Sequence, residues 1–381
     1  MPARRPSRFL LMLLLLCASA LTAGCWDQRD IEKRTFVSAI AIDKGDDNDY
    51  VVSIQVPIPN QIAGSTSTGG GVGGEAYRVL SSVGDTLLEG LGNLQKRTNQ
   101  VIFVGHTRII AVSEDIARED MASIIDGLRR ESTFRRQLWP IVVQGQAREL
   151  LTFNPQLEQL PTMFLMDQLR TISQLGILPK LPLGDIYVSM SKSTEDPIMY
   201  YAHMNNEDVR LDGLAVFDGT RMVGQLESND VIPLVHIRDG KRGADVTIPL
   251  EPENNVFVTF HPNRIKTRVH TGYKDGKPQF RIRIHIDGRI VESTHKGEVD
   301  PEKLIRQVEQ AAEKYYEKLA ANMIDKLQHE YRADVLQLGT TFRNRHPDIW
   351  RTIDDWHDAF AQADIDVSYD IHIRQTGLER R

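Results

Sequence analysis

The stretch Gln279-Phe280-Arg281-Ile282-Arg283-Ile284-His285-Ile286 decides the architecture of the second half of this chain. Its isoleucines alternate with arginines and a histidine at period 2, which marks a strand with one buried and one wet face. Outward from it, Asp245–Pro249, Val256–Phe260, Arg264–Tyr273 and Arg289–Glu292 read as further strands. Leu214–Phe217 and Met222–Leu226 make a short hairpin with Asp218-Gly219 at its turn. Downstream, Asp300-Pro301 opens a long helix, with Asp as N-cap and Pro at the first helical position. Leu304, Val308, Ala311, Tyr315, Leu319, Met323 and Leu327 form its apolar stripe. At 1.5 Å per residue it reaches about 45 Å. A helix over Val335–Arg345 stops at Pro347, and Ile349–Phe360 is helical and carries Trp350 and Trp356. Both rings are expected to be largely buried against the long helix. Ile365–Ile373 alternates again and closes the unit. The second half therefore reads as an antiparallel sheet crossed by a long helix, an α+β arrangement.

The first half mixes strands and helices. Thr35–Asp43 and Tyr50–Pro57 are strand candidates joined by the turn-rich Lys44–Asp49. Gly64–Gly74 is a Gly/Ser/Thr tract that offers nothing to pack. Val79, Val83, Leu87 and Leu91 recur every four residues, which predicts an amphipathic helix. Strands are expected at Val101–Val104, Arg108–Val112 and Leu138–Gln144, with a helix over Asp120–Arg130 between the last two. This alternation indicates mixed α/β structure. Leu150–Lys192 is mostly helical in pattern, interrupted by prolines. Thr194–Asp212 is polar, contains Pro197 and reads as a break. The expected organisation is an N-terminal α/β region over 25–210, with a candidate division near 145–155, and a C-terminal α+β region over 211–381, with a candidate division near 295.

The N-terminus carries Arg4, Arg5 and Arg8, then an apolar run from Phe9 to Leu21. A bilayer-spanning helix needs roughly 20 residues, so this shorter run reads as the core of a signal peptide covering 1–24. Ala20, Thr22, Ala23 and Gly24 precede Cys25, a lipobox-like ending in which Cys25 takes a diacylglyceryl group and becomes the first mature residue. The other cysteine, Cys17, lies in the apolar run and leaves with the signal. Two acyl chains give stable anchoring without a transmembrane helix. The rest of the chain contains no second long apolar run and is expected to be a tethered ectodomain.

Of the 381 residues, 41% are hydrophobic and 26% charged, values ordinary for globular protein. The formal net charge is −6, and loss of the signal arginines makes the remainder more acidic. That argues against a nucleic-acid partner.

Chemical signatures are sparse. Ser189-Met-Ser-Lys192 fits S-x-x-K, but the partner S-D-N and K-T-G elements of serine acylating enzymes are missing. The glycine tract lacks the G-K-[ST] ending of a phosphate loop. Asp43, Asp47 and Asp49 resemble a calcium loop only superficially, without its glycine and distal glutamate. The 11 histidines include no H-x-x-x-H pair. His261, His270 and His285 sit on strands from which they could approach one another, although ordinary strand positions account for them. Trp350 and Trp356 suit either ligand stacking or, preferentially, the anchoring of a small helical layer. No catalytic, cofactor-binding or metal-ligating residue is assigned; the one assigned site is lipidation at Cys25.

Several short motifs, in order along the chain, carry a resemblance. They are Cys25-Trp26-Asp27-Gln28-Arg29-Asp30-Ile31, Ala41-Ile42-Asp43-Lys44-Gly45 and Phe103-Val104-Gly105-His106-Thr107-Arg108. At the far end come Asp334 through Gly339, Arg345-His346-Pro347, Trp350, Trp356, Phe360 and Ile373 through Gly377. Together they resemble spore germination lipoproteins of the GerC type, the C subunits of nutrient germinant receptors. The resemblance implies a three-domain ectodomain without enzyme activity or cofactor. It also implies lipid attachment at the outer face of the spore inner membrane and action with membrane-embedded A and B subunits. The competing expectation is a solute-binding lipoprotein that delivers a small molecule to a membrane transporter. That role calls for two similar doubly wound lobes, which the antiparallel signals of the second half disfavour. A surface enzyme is a third class, for which the motifs leave little support.

Overall fold

The computed structural model describes residues 34–376 apart from 60, 62–75, 156, 206–207, 252–255 and 296–299, together with residue 12. Cys25, the first motif of the resemblance and the glycine tract lie outside the described residues. The strands in chain order are β1 (Arg34–Phe36), β2 (Ala39–Lys44), β3 (Tyr50–Pro57), β4 (Tyr77–Gly84), β5 (Val101–Phe103), β6 (Ile109–Ser113) and β7 (Trp139–Val143). They continue with β8 (Ile198–Asn205), β9 (Asp208–Asp218), β10 (Arg221–Leu226), β11 (Val246–Glu251), β12 (Val256–Lys274), β13 (Lys277–Ser293) and β14 (Asp364–Thr376).

One large sheet has the order β10-β9-β8-β7-β6-β2-β3-β4. Its centre, β2, β6, β7 and β8, is parallel, and antiparallel pairs close both sides. The central strands are buried on both faces, as parallel strands covered by helices must be. Ile40 and Ile42 enter a core with the helices Leu87–Gln95, Glu114–Glu119 and Ala122–Arg130. Ala39 and Ala41 point the other way, toward Leu150, Leu165 and Leu169 of the helices Glu149–Thr152 and Pro161–Leu175. That second core runs without interruption into a four-stranded sheet ordered β11-β12-β13-β14, through Phe260, Ile282, Ile284 and Ile286. The chain is thus mixed α+β. No described helix is long and apolar enough to cross a membrane.

Several sequence expectations change. Residues 77–84 form β4, not the start of a helix; a four-residue repeat is also a multiple of the strand period, so Val79 and Val83 share one face of an edge strand. The polar break at 194–212 contains β8, whose Ile198-Met199-Tyr200-Tyr201-Ala202 is buried on both faces and therefore shows no alternation. The large sheet runs on past that break to Leu226. The small sheet is not wholly antiparallel, because β14 pairs parallel with β13. Between them runs the long helix Pro301–Asp325, the crossover that a parallel pair requires.

The buried stripe of that helix is Leu304, Val308, Ala312, Tyr316, Ala320 and Met323, continued by Leu327 in the turn Lys326–Tyr331 that follows it. Ala311, Tyr315 and Leu319 lie beside it and line an open groove of about 720 Å³ against β11. The expected helix over 349–360 breaks into Pro347–Trp350 and Trp356–Ala361, the second capped by Asp355, which accepts from the His357 amide at 2.8 Å.

β12 and β13 form a long hairpin that turns at Asp275-Gly276, both in the left-handed region that such two-residue turns need. The long helix also lies along the free edge of β14. Glu317, Glu313 and Glu309 accept the edge amides of Tyr369, Ile371 and Ile373 at 3.2, 3.2 and 2.9 Å. An unpaired strand edge is a template for unwanted pairing, and these carboxylates occupy it.

Candidate functional site at the junction of the two sheets

The family-like motifs meet at structural joints. Asp43, at the end of β2, accepts the amides of Ala147 and Arg148 at 2.5 and 3.0 Å and so fixes the turn after β7. Burial raises its pKa, against the pull of those two amides. It is committed to that turn and does not join Asp47 and Asp49 in a calcium loop. In Phe103–Arg108, the rings of Phe36, Phe103 and His106 cluster, with Phe36 and His106 stacked at 4.9 Å. A Cβ at Gly105 would come within 2.6 Å of the Phe103 ring, which explains glycine there.

The densest joint links the segment before β8 to the turn after the long helix. Asp334 is fully buried. Its carboxylate accepts the amides of Leu336, Leu338 and Gly339 at 3.1, 3.2 and 2.7 Å and the Trp356 indole N–H at 3.0 Å. Its own amide donates to Asp196 Oδ2 at 2.7 Å, and the Asp196 amide donates back to its carbonyl at 2.9 Å. Glu195, also buried, accepts from Ser189 Oγ at 3.0 Å, Lys192 Nζ at 3.1 Å and Thr340 Oγ1 at 3.1 Å. Ser189 and Lys192 are therefore joined through a carboxylate and do not face each other as nucleophile and base. Gly339 sits where a Cβ would meet the Thr194 carbonyl and the Trp356 indole nitrogen, both at 2.5 Å.

His357 closes the cluster. Its Nε2 lies 3.3 Å from Asp196 and its Nδ1 3.8 Å from Asp218. The hydrogen bond to Asp196 outweighs partial burial and pushes its pKa up to about 9. Burial pushes the Asp334 carboxyl up to about 7, against its four donors. A histidine with a raised folded pKa stabilises fully below its ordinary value of 6.5 and loses that contribution as pH rises through about 9. A carboxyl with a raised folded pKa weakens stability between its ordinary 3.8 and about 7, in the same direction. Denaturation midpoints are therefore expected to fall from pH 6.5 to 9, and His357→Gln is expected to flatten that fall. An unchanged slope in the variant would show that His357 is not the titrating group.

The three strand histidines do not converge. His261 pairs with Asp245 at 2.5 Å, His270 lies exposed opposite Arg281, and His285 lies opposite Lys266 on β12. Trp356 is buried, while Trp350 is half-buried against it at 5.2 Å. Trp356 packs on Phe280 of β13 and on Phe342, and its helix is tied to the turn that follows the long helix, where Gln328 Nε2 donates to the Phe360 carbonyl at 2.7 Å. Sequence reasoning missed Glu195 and Asp196. The available signal was a pair of acids next to an apolar run, three residues after Lys192.

Residues 27–204 match the family model described as the spore germination protein N-terminal domain. Residues 212–377 match the one described as spore germination B3/GerAC like, C-terminal. Spore germination protein YndF of Bacillus subtilis (strain 168) is 25% identical over 98% of this chain and 96% of its own length. Spore germination protein KC of the same organism is 23% identical over 97% and 96%. Spore germination protein B3 is 26% identical over 94% and 95%. The crystal structure of the GerBC protein superposes with a TM-score of 0.60 at 19% identity, covering 91% of this chain and all of that one. At that identity the likeness speaks for the fold.

Proposed function

Because the chain belongs to the GerAC-like spore germination family, as a C-type subunit of a germinant receptor involved in spore germination, we propose that it acts as a lipid-anchored, non-enzymatic assembly subunit. Diacylglyceryl-Cys25 holds it at the outer face of the spore inner membrane. There it contacts the membrane-embedded A and B subunits, and no nucleic acid or cofactor takes part. The observation that carries this reading is where the motif residues lie. Asp43, Gly105, Asp334, Gly339 and Trp356 are committed to joints inside the fold: the two aspartates accept backbone amides, the Trp356 indole donates to Asp334, and the glycines sit where a side chain would clash. What this leaves for function is surface, and confinement to one membrane face raises effective concentration enough for modest contacts to suffice. The solute-binding alternative gains nothing from the architecture, because one eight-stranded and one four-stranded sheet are not two similar lobes.

Cys25→Ala is the test. The variant is expected to lose a metabolically incorporated palmitate analogue. Spores carrying it are expected to lose the response to nutrients while still germinating with exogenous calcium dipicolinate. Label retained on the variant, or an undiminished nutrient response, would defeat the anchored reading. Calorimetric titration with amino acids and sugars addresses the alternative, which requires tight binding.

A further inference from the structure

The parallel register of β13 and β14 sets His285 opposite Asp370 and Asp287 opposite His372. The neighbouring Ile284, Ile286, Tyr369 and Ile371 are buried, so this block of four lies on the opposite, outer face of the sheet. His285 Nδ1 is 2.9 Å from Asp370 Oδ2, and His372 Nε2 is 3.5 Å from Asp370 Oδ1. The two imidazole rings lie 5.0 Å apart. One ligating atom from each of His285, Asp370 and His372 falls within 4.8 Å of the others. We propose that these three residues form a surface site for a divalent transition-metal ion.

Three features argue for it. The ligand atoms of a tetrahedral site with bonds near 2.0–2.1 Å lie about 3.3 Å apart, so small side-chain rotations close this trio around an ion. The donor set of two imidazoles and one carboxylate suits zinc, cobalt, nickel or copper ions and does not suit calcium or magnesium. The remaining carboxylate completes the arrangement from outside. Asp287 lies 3.6 Å from His285 Nε2 and is itself held by Arg374 Nε at 2.7 Å. In the metal-free contact Nδ1 donates its proton to Asp370; an ion would displace that proton, and Asp287 is placed to hold the one then carried on Nε2, as a carboxylate behind a histidine orients a metal ligand. The side chains are 33%, 63% and 47% exposed, so an ion and a water ligand have free access. The other comparable group, Asp196, Asp218 and His357, brings a single nitrogen ligand. One of its carboxylate oxygens is already committed to the Asp334 amide, so it carries no such proposal.

The test is titration of the full-length chain with Co²⁺, followed by its visible ligand-field absorption, and with Zn²⁺ by calorimetry. One equivalent is expected to bind, with the intense absorption of four-coordinate cobalt, and excess Mg²⁺ or Ca²⁺ should not displace it. His285→Ala and His372→Ala are expected to abolish this binding, and Asp287→Asn to weaken it about 10–100-fold. His270→Ala, on the same sheet, should leave it unchanged. Because the ligands are exposed, melting of the metal-free variants should match the parent, which separates loss of ligation from loss of fold. No saturable binding, or binding indifferent to His285 and His372, would overturn the proposal in favour of a plain hydrogen-bonded carboxylate–histidine cluster.

Discussion

Asp334→Ala is expected to lower the unfolding free energy by about 4 kcal/mol or more, read from urea denaturation. The substitution strands four donors, the amides of Leu336, Leu338 and Gly339 and the indole of Trp356, at a fully buried position. A buried donor left without a partner costs about 1–3 kcal/mol. Losses above about 4 kcal/mol are unusual for one residue and point to a mechanism of this kind. Asp334→Asn should be nearly as damaging, since an amide offers one acceptor oxygen where the carboxylate offers two and aims N–H groups at other N–H groups. A loss below about 1 kcal/mol would mean that water reaches these donors and that the joint is not closed.

Trp356→Ala is expected to cost about 3–5 kcal/mol, and Trp350→Ala distinctly less. The Trp356 ring lies among Phe280, Phe342 and Phe360 at centroid separations of 6.4, 6.0 and 6.4 Å, and its removal leaves a cavity walled by stiff aromatic neighbours. Trp350 contributes one face to that cluster and keeps part of its surface in water. Thermal melting of the two variants side by side provides the check. Equal losses would contradict the different burial of the two rings.

The parts of the fold that could be read in advance are those where one face is wet. Arg281, Arg283 and His285 against Ile282, Ile284 and Ile286 announced β13 because alternation survives wherever a sheet meets solvent. β8 gave no such signal, since helices cover both its faces and erase the polar half of the pattern. The parallel pairing of β14 could not be read either; alternation says which face is buried and nothing about strand direction. At the junction, the spacing of Asp334 and Gly339 was visible, but its meaning depends on Thr194 and Asp196 from far back in the chain. The same holds for His285 and Asp370, which become neighbours only through the β13–β14 register.

The glutamate row along β14 works as a pitch match between two unlike lattices. Four residues of helix advance about 6.0 Å. Two residues of strand advance about 6.6–6.8 Å. Glu309, Glu313 and Glu317 step along the helix as Ile373, Ile371 and Tyr369 step back along the strand. Each rung adds a mismatch of about 0.7 Å, small enough for a flexible side chain to absorb over three rungs. The match is a vernier of finite length, and it sets how much edge one straight helix can seal. Its tolerance to sequence length is correspondingly poor. One residue inserted between Glu309 and Glu317 would turn the later glutamates by about 100° and carry them off the strand. The spacing of these three side chains therefore constrains the helix more tightly than its apolar stripe does, since the stripe accepts steps of either three or four.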